Sequence, residues 1–118
     1  MTYKGRKIGF KRTLGAVTDL SKLAPGGQVS RLSEMFSEDN LALTLESGAK
    51  FLAILNKWYE KSLVFEEEGY VPDPIPEAWF MALEMDEFSA LMNEAMTQFG
   101  LDDKATVEAV ELKGKKNG

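Results

Sequence analysis

Apolar residues along most of this chain recur every three or four positions, the period of a helix with one buried face. The first dozen residues are the exception. Tyr3, Ile8 and Phe10 alternate with polar neighbours, which predicts extended backbone over residues 2–12, and Lys4-Gly5 suits the turn of a short hairpin. Lys and Arg then lie opposite Ile8 and Phe10, as they do on an edge strand that resists unwanted pairing. Thr13 suits a helix N-cap, and Leu14, Val17, Leu20 and Leu23 follow at i, i+3, i+6 and i+9 as one apolar stripe. Pro25-Gly26-Gly27 stops that helix. A shorter helix is predicted over Gln28 to Phe36, with Val29, Leu32, Met35 and Phe36 on one side.

Ser37 to Asn40 is a polar break. The longest helix is predicted from near Asn40 to about Val64. Its apolar positions include Leu41, Leu45, Leu52, Leu55, Tyr59 and Leu63, widened by Ala49, Phe51, Ile54 and Trp58. So wide a face predicts a central helix packed on several sides. Gly48 costs about 1 kcal/mol relative to alanine in a helix interior, so a close approach of another element is expected there. Glu66-Glu67-Glu68-Gly69 and the prolines Pro72, Pro74 and Pro76 form an irregular, stiff connection. Glu77 opens a further helix, interrupted or continued near Met85-Asp86 and ending at Phe99-Gly100. Beyond it the periodicity fades, although Ala105 to Val110 could add a turn or strand. The fold class expected is mainly α: one helical domain over residues 1–112, a short N-terminal β-strand or hairpin, and a disordered, Lys-rich C-terminal tail at 113–118.

The chain has 118 residues and 44% hydrophobic residues, enough for a real core. It contains no Cys and no His. That removes disulfides, thiolate nucleophiles, Cys/His zinc sites and imidazole general bases. The net charge is −5, unevenly placed. Residues 1–12 carry Lys4, Arg6, Lys7, Lys11 and Arg12 with no acid, and residues 113–118 carry Lys113, Lys115 and Lys116. The stretch between them sets 6 basic against 19 acidic residues, a local −13. So acidic a body disfavours binding to nucleic acid, where phosphate neutralisation drives affinity. No secretory pattern and no membrane-length apolar run is present, so a soluble cytoplasmic protein is expected.

Candidate chemistry is sparse. Glu84 and Glu87 would share a helix face, and Glu60 lies beside Tyr59, but nothing specifies a cleft around either. The run Glu66 to Glu68 lacks the spacing of a calcium loop. No enzyme activity, no cofactor, no metal and no catalytic residue is expected. The most informative pattern is Met81, Met85, Phe88, Met92, Met96 and Phe99, which holds four of the chain's 6 methionines at helical spacing. A Met-rich face adapts to different partner shapes, and the same spacing also describes a core. Trp79 and Phe80 precede it, and aromatic residues anchor many interfaces. Trp79, Phe80, Met81, Met85, Phe88 and Met92 are therefore the candidate protein-binding residues.

The segment Ile8-Gly9-Phe10-Lys11-Arg12-Thr13-Leu14-Gly15-Ala16-Val17 resembles the opening of small tail assembly chaperones of siphophages and prophages of Gram-positive bacteria. The Leu23 to Gly27 break, the helices after it, the Pro-rich connection, Leu83-Glu84-Met85-Asp86-Glu87-Phe88 and the Lys-rich end are also similar. The resemblance implies a protein that binds the tape-measure protein and tail-tube subunits during tail morphogenesis. It implies self-association and action in the bacterial host cytoplasm, with no small-molecule substrate, no nucleic acid and no membrane as partner. The alternatives are a structural phage tail or head–tail connector protein, a small nucleic-acid-binding regulator acting through residues 1–12, and a carboxylate-based hydrolase. Such chaperone genes often yield a longer product by ribosomal slippage, and Lys115-Lys116-Asn117 can be encoded across a slippery A-AAA-AAC. The expectation is that the gene carries this heptamer there and that the second frame stays open. Other codons, or an immediate stop in that frame, would sink it.

Overall fold

The computed structural model describes residues 1–28 and 41–99. Strands β1 (Thr2–Tyr3) and β2 (Arg6–Lys7) form an antiparallel hairpin with Tyr3 opposite Arg6. The two turn residues, Lys4 and Gly5, have φ of 52° and 81°. Positive φ at both central positions is the turn whose twist matches a two-residue hairpin. Four helices follow among the described residues: α1 (Leu14–Leu23), α2 (Leu41–Leu63), α3 (Glu77–Met81) and α4 (Met85–Phe99). The fold is mainly helical, as the periodicity indicates. The expected helix over 28–36, the polar break at 37–40, the turn or strand at 105–110 and the C-terminal tail lie outside the described residues.

Helix α1 begins where Thr13 accepts a hydrogen bond from the Ala16 N–H at 3.0 Å. It ends in a short 3₁₀ turn over Pro25–Gly27, in which Gly26 and Gly27 take φ of 64° and 72°. Three of the four stripe positions face the core: Leu20 is fully covered, as is Ala16 beside the stripe, and Val17 and Leu23 are partly covered, whereas Leu14 departs from the stripe and is 88% exposed. The cause is the close approach at Gly15, where an added Cβ would stand 2.4 Å from the Trp58 indole. Small residues set this crossing, and the helix rotates to bring Gly15 and Ala16 inward, which turns Leu14 out.

Helix α2 is the central element, and α1, α3 and α4 all pack against it. Ala49, Phe51, Leu52 and Leu55 lie at its centre with Ile8, Phe10, Ile75, Phe80, Leu91 and Ala95. Gly48 admits the ring of Phe88 from α4, since a Cβ there would meet Phe88 Cζ at 2.7 Å. Leu41 and Leu43, at the start of α2, are 63% and 55% exposed, so the core face of α2 begins later than the leucine spacing indicates.

Two polar residues on α2 hold the non-helical parts of the chain. The Asn56 side chain is buried; its Nδ2 donates to the Gly9 carbonyl at 2.9 Å and its Oδ1 accepts from the Ile75 N–H at 2.8 Å. One turn on, buried Glu60 accepts from the Asp73 N–H at 2.9 Å, from Arg6 at 3.3 Å and from the Tyr70 hydroxyl. The segment over Ile8 to Phe10, after the hairpin, and the proline segment thus lie on the same side of α2, with no buried side-chain polar atom left without a partner among the described residues.

Replacing Asn56 with alanine leaves one partly buried carbonyl and one buried N–H without their partner. The expected loss is about 2–6 kcal/mol, from roughly 1–3 kcal/mol for each unsatisfied group. Urea denaturation checks this; an unchanged midpoint would show that water takes over both partners.

Candidate functional site

The proline segment aims the chain into the region where the methionines lie. Ile75 is buried, Pro76 has the extended backbone of an N-cap residue, and the Trp79 N–H bonds the Pro76 carbonyl at 3.0 Å. Helix α3 is only five residues long. It buries Phe80, 1% exposed, in the core. Trp79 is half-buried and makes edge-to-face contacts with Tyr3 at 5.3 Å and Phe80 at 5.4 Å. Both aromatic residues therefore brace α3 and the hairpin, and Phe80 has no surface to offer a partner.

Between α3 and α4 the chain leaves the helix at Ala82 to Glu84. Glu84 caps α4: its carbonyl accepts from the Phe88 N–H at 2.9 Å, and the Glu87 side chain reaches back to the Glu84 N–H at 3.2 Å. This is half of the reciprocal capping arrangement, and Asp86 and Glu87 in the first turn suit the helix dipole. The pair Glu84 and Glu87, considered above for acid–base chemistry, is a helix start. Glu60, likewise considered, is spent on the backbone and side chains of its own chain. Among the described residues no three carboxylates converge as a metal site requires.

The methionine stripe is divided by that break. Met81 and Met85 are 51% and 58% exposed. Phe88, Met92 and Met96 are half-buried and pack on the core, while the fully covered positions of α4 are Leu91 and Ala95. The structure thus gathers Met81, Met85 and the edge of Phe88 at the surface, assigns Met92 and Trp79 to packing, and encloses Phe80. A depression of about 140 Å³ opens among Leu45, Phe80, Met81, Leu83, Met85 and Phe88. A broader one of about 540 Å³ adjoins it, lined by Ala42, Leu43, Leu45, Glu46 and Met81. With exposed Leu43, these residues form one apolar face at the N-terminal end of α2. Sequence reasoning missed Leu43; the signal available was that it falls between the stripe positions Leu41 and Leu45.

The basic N-terminus is largely engaged with acids of its own chain. Lys4 pairs with Asp73 at 3.3 Å, Arg6 with Glu60 at 3.3 Å and Lys11 with Glu66 at 2.9 Å. The hydrogen bond to Asp73 raises the Lys4 ammonium above its usual range. Burial, and then the bond to Glu60, raises the Tyr70 phenol. Across the molecule, the Lys57 ammonium at 2.6 Å, and then the Trp58 indole N–H at 2.8 Å, hold the Asp19 carboxyl below the usual carboxylate range.

Because the Asp19 pKa is depressed by folding, its contribution to stability is present above the unfolded pKa of about 4 and is lost as pH falls through the folded value. The stability gap between wild type and Asp19→Asn is expected to be open near neutrality and to close below about pH 4. Thermal melts across that range check it; a gap independent of pH would assign the effect to the shape of the side chain.

No described helix is long and apolar enough to cross a membrane. Comparison with protein-family models, with curated proteins and with solved structures finds no match for this chain.

Proposed function

We propose that this chain is a phage tail assembly chaperone, a protein-binding adaptor that holds apolar helical segments of the tape-measure protein in solution while the tail is built and recruits tail-tube subunits. The observation that carries the reading is the apolar face of Met81, Met85 and Leu43, each about half exposed or more. Methionines at the rim of an apolar depression suit a partner whose side chains vary along its length. The likeness of residues 8–17 to the opening of that family supports the same reading.

The magnitude of the face also fits. Burying the exposed halves of three such side chains gives about 2–5 kcal/mol, from roughly 1.5–3 kcal/mol per fully buried chain. Association costs about 4–15 kcal/mol. One copy on one segment therefore binds weakly, and stable coverage of a long partner needs many copies side by side. Self-association of the chain belongs to this reading, as does action in the host cytoplasm. A nucleic-acid-binding role through residues 1–12 is disfavoured, because Lys4, Arg6 and Lys11 already pair with Asp73, Glu60 and Glu66.

Size-exclusion chromatography with light scattering tests the proposal, with the chain alone and co-expressed with the product of the longest neighbouring open reading frame. The expected outcome is self-association and co-elution with a partner that is insoluble on its own. Met81→Glu with Met85→Glu should abolish co-elution and leave the melting temperature within about 2 °C of wild type, as surface substitutions do. A strict monomer that leaves the partner insoluble, or a double variant that still binds, would overturn it.

A further inference from the structure

The other end of α2 carries a second apolar surface, distinct from the face around Met81 and Met85. Leu14 and Phe65 are 88% and 89% exposed, and Val64 is 42% exposed. Leu14 opens α1, and Phe65 sits in the turn after α2, where its N–H bonds the Ser62 carbonyl at 3.1 Å. Neither position needs a large apolar side chain to form its local structure. Between them lies a depression of about 240 Å³, also lined by Thr13, Gly15, Trp58, Lys61 and Ser62.

The floor of this depression is built and rigid. The Trp58 indole donates to Asp19 at 2.8 Å, and Gly15 presses on its ring. The Lys61 ammonium stands 4.7 Å from the centre of that ring, and the Lys57 ammonium 5.5 Å. Lys57 is paired with Asp19, whereas Lys61 has no carboxylate partner among the described residues. An apolar floor with a cationic rim is unusual on a chain whose net charge is −5.

We propose that this patch docks an acidic amphipathic helix of a partner protein. The helix sets one large apolar side chain between Leu14 and Phe65 and a carboxylate, about one turn away, on Lys61. Charge complementarity selects the occupant: Lys57 is already met by Asp19, but a basic helix would bring like charge to exposed Lys61, whereas a carboxylate there gains a partner. The single opening suits a helix anchored at i and i+4, not an extended strand, which needs a free sheet edge and alternate side-chain sites. This inference stands apart from the chaperone reading and fails or holds independently of it.

The probes are two fluorescently labelled synthetic helical peptides with Leu and Phe one turn apart, one flanked by glutamates and the other by lysines. Anisotropy titration against the full chain is expected to show the acidic peptide binding at least about tenfold tighter than the basic one. Phe65→Ser and Leu14→Ser should each weaken the acidic peptide about tenfold, and Lys61→Glu should invert the preference. Lys7→Glu makes the same charge change on the distant hairpin and should leave the preference standing. Equal binding of the two peptides, no binding, or an equal effect of Lys7→Glu and Lys61→Glu would overturn the proposal. Should a variant unfold, the Trp58 indole N–H resonance of the wild-type chain decides. It must shift on addition of the acidic peptide, and its invariance would equally overturn the assignment.

Discussion

The structure depends on one turn of α2 whose polar side chains do the work that a sheet would do elsewhere. Backbone outside helices must find hydrogen-bond partners when it is covered. Here Asn56 serves the Gly9 carbonyl and the Ile75 N–H, and Glu60 serves the Asp73 N–H. Two segments distant in sequence are thereby laid along one helix without pairing to each other as strands. Burying Asn and Glu is costly when they are unpaired, and both are fully engaged here. The charge of Glu60 is met by Arg6, and the ring of Tyr59, the residue before it, lies against Gly9. The same few residues therefore fix where the hairpin, the proline segment and α3 sit.

That arrangement explains the lopsided charge of the chain. A strongly basic first dozen residues beside an acidic body reads as two opposed surfaces in the sequence. In three dimensions, Lys4, Arg6 and Lys11 each meet an acid from α2 or the loop after it. The two exposed pairs, Lys4–Asp73 and Lys11–Glu66, contribute little stability, on the order of 0–1 kcal/mol each. Their effect is on orientation and on the field the molecule presents, since the positive end is in good part cancelled by its own neighbours.

What was legible in the sequence was local. The Thr13 cap, the glycine stop after α1, the Lys4-Gly5 turn and the extent of α2 each follow from a few adjacent residues whose chemistry admits little else. The exposure of Leu14 was not legible, because it turns on Gly15 meeting Trp58, a contact between distant parts of the chain. The roles of Asn56 and Glu60 were hidden for the same reason; a polar residue on a helix looks alike whether it faces water or a backbone 47 positions away. In the candidate face, Met81 and Met85 could be picked out by spacing. Spacing could not separate them from Phe80, Phe88 and Met92, because an apolar stripe has one pattern whether it is covered or open. The separation comes from the break at Ala82 to Glu84, which interrupts the stripe where the Glu84 and Glu87 cap begins a new helix.

The clamp at Asn56 also sets an order on the ribosome. The Gly9 carbonyl lies 47 positions ahead of Asn56, and the Ile75 N–H only 19 positions behind it. Closing the longer loop costs about 0.8 kcal/mol more in chain entropy than closing the shorter. The N-terminal segment is also made first, and the Asn56 amide that donates to it does not exist until α2 has been synthesised. During synthesis the segment that carries Ile8 and Phe10 therefore waits, with its apolar residues uncovered, for a helix still inside the tunnel. Its density of lysine and arginine then has a second use, keeping a nascent strand soluble until its seat arrives.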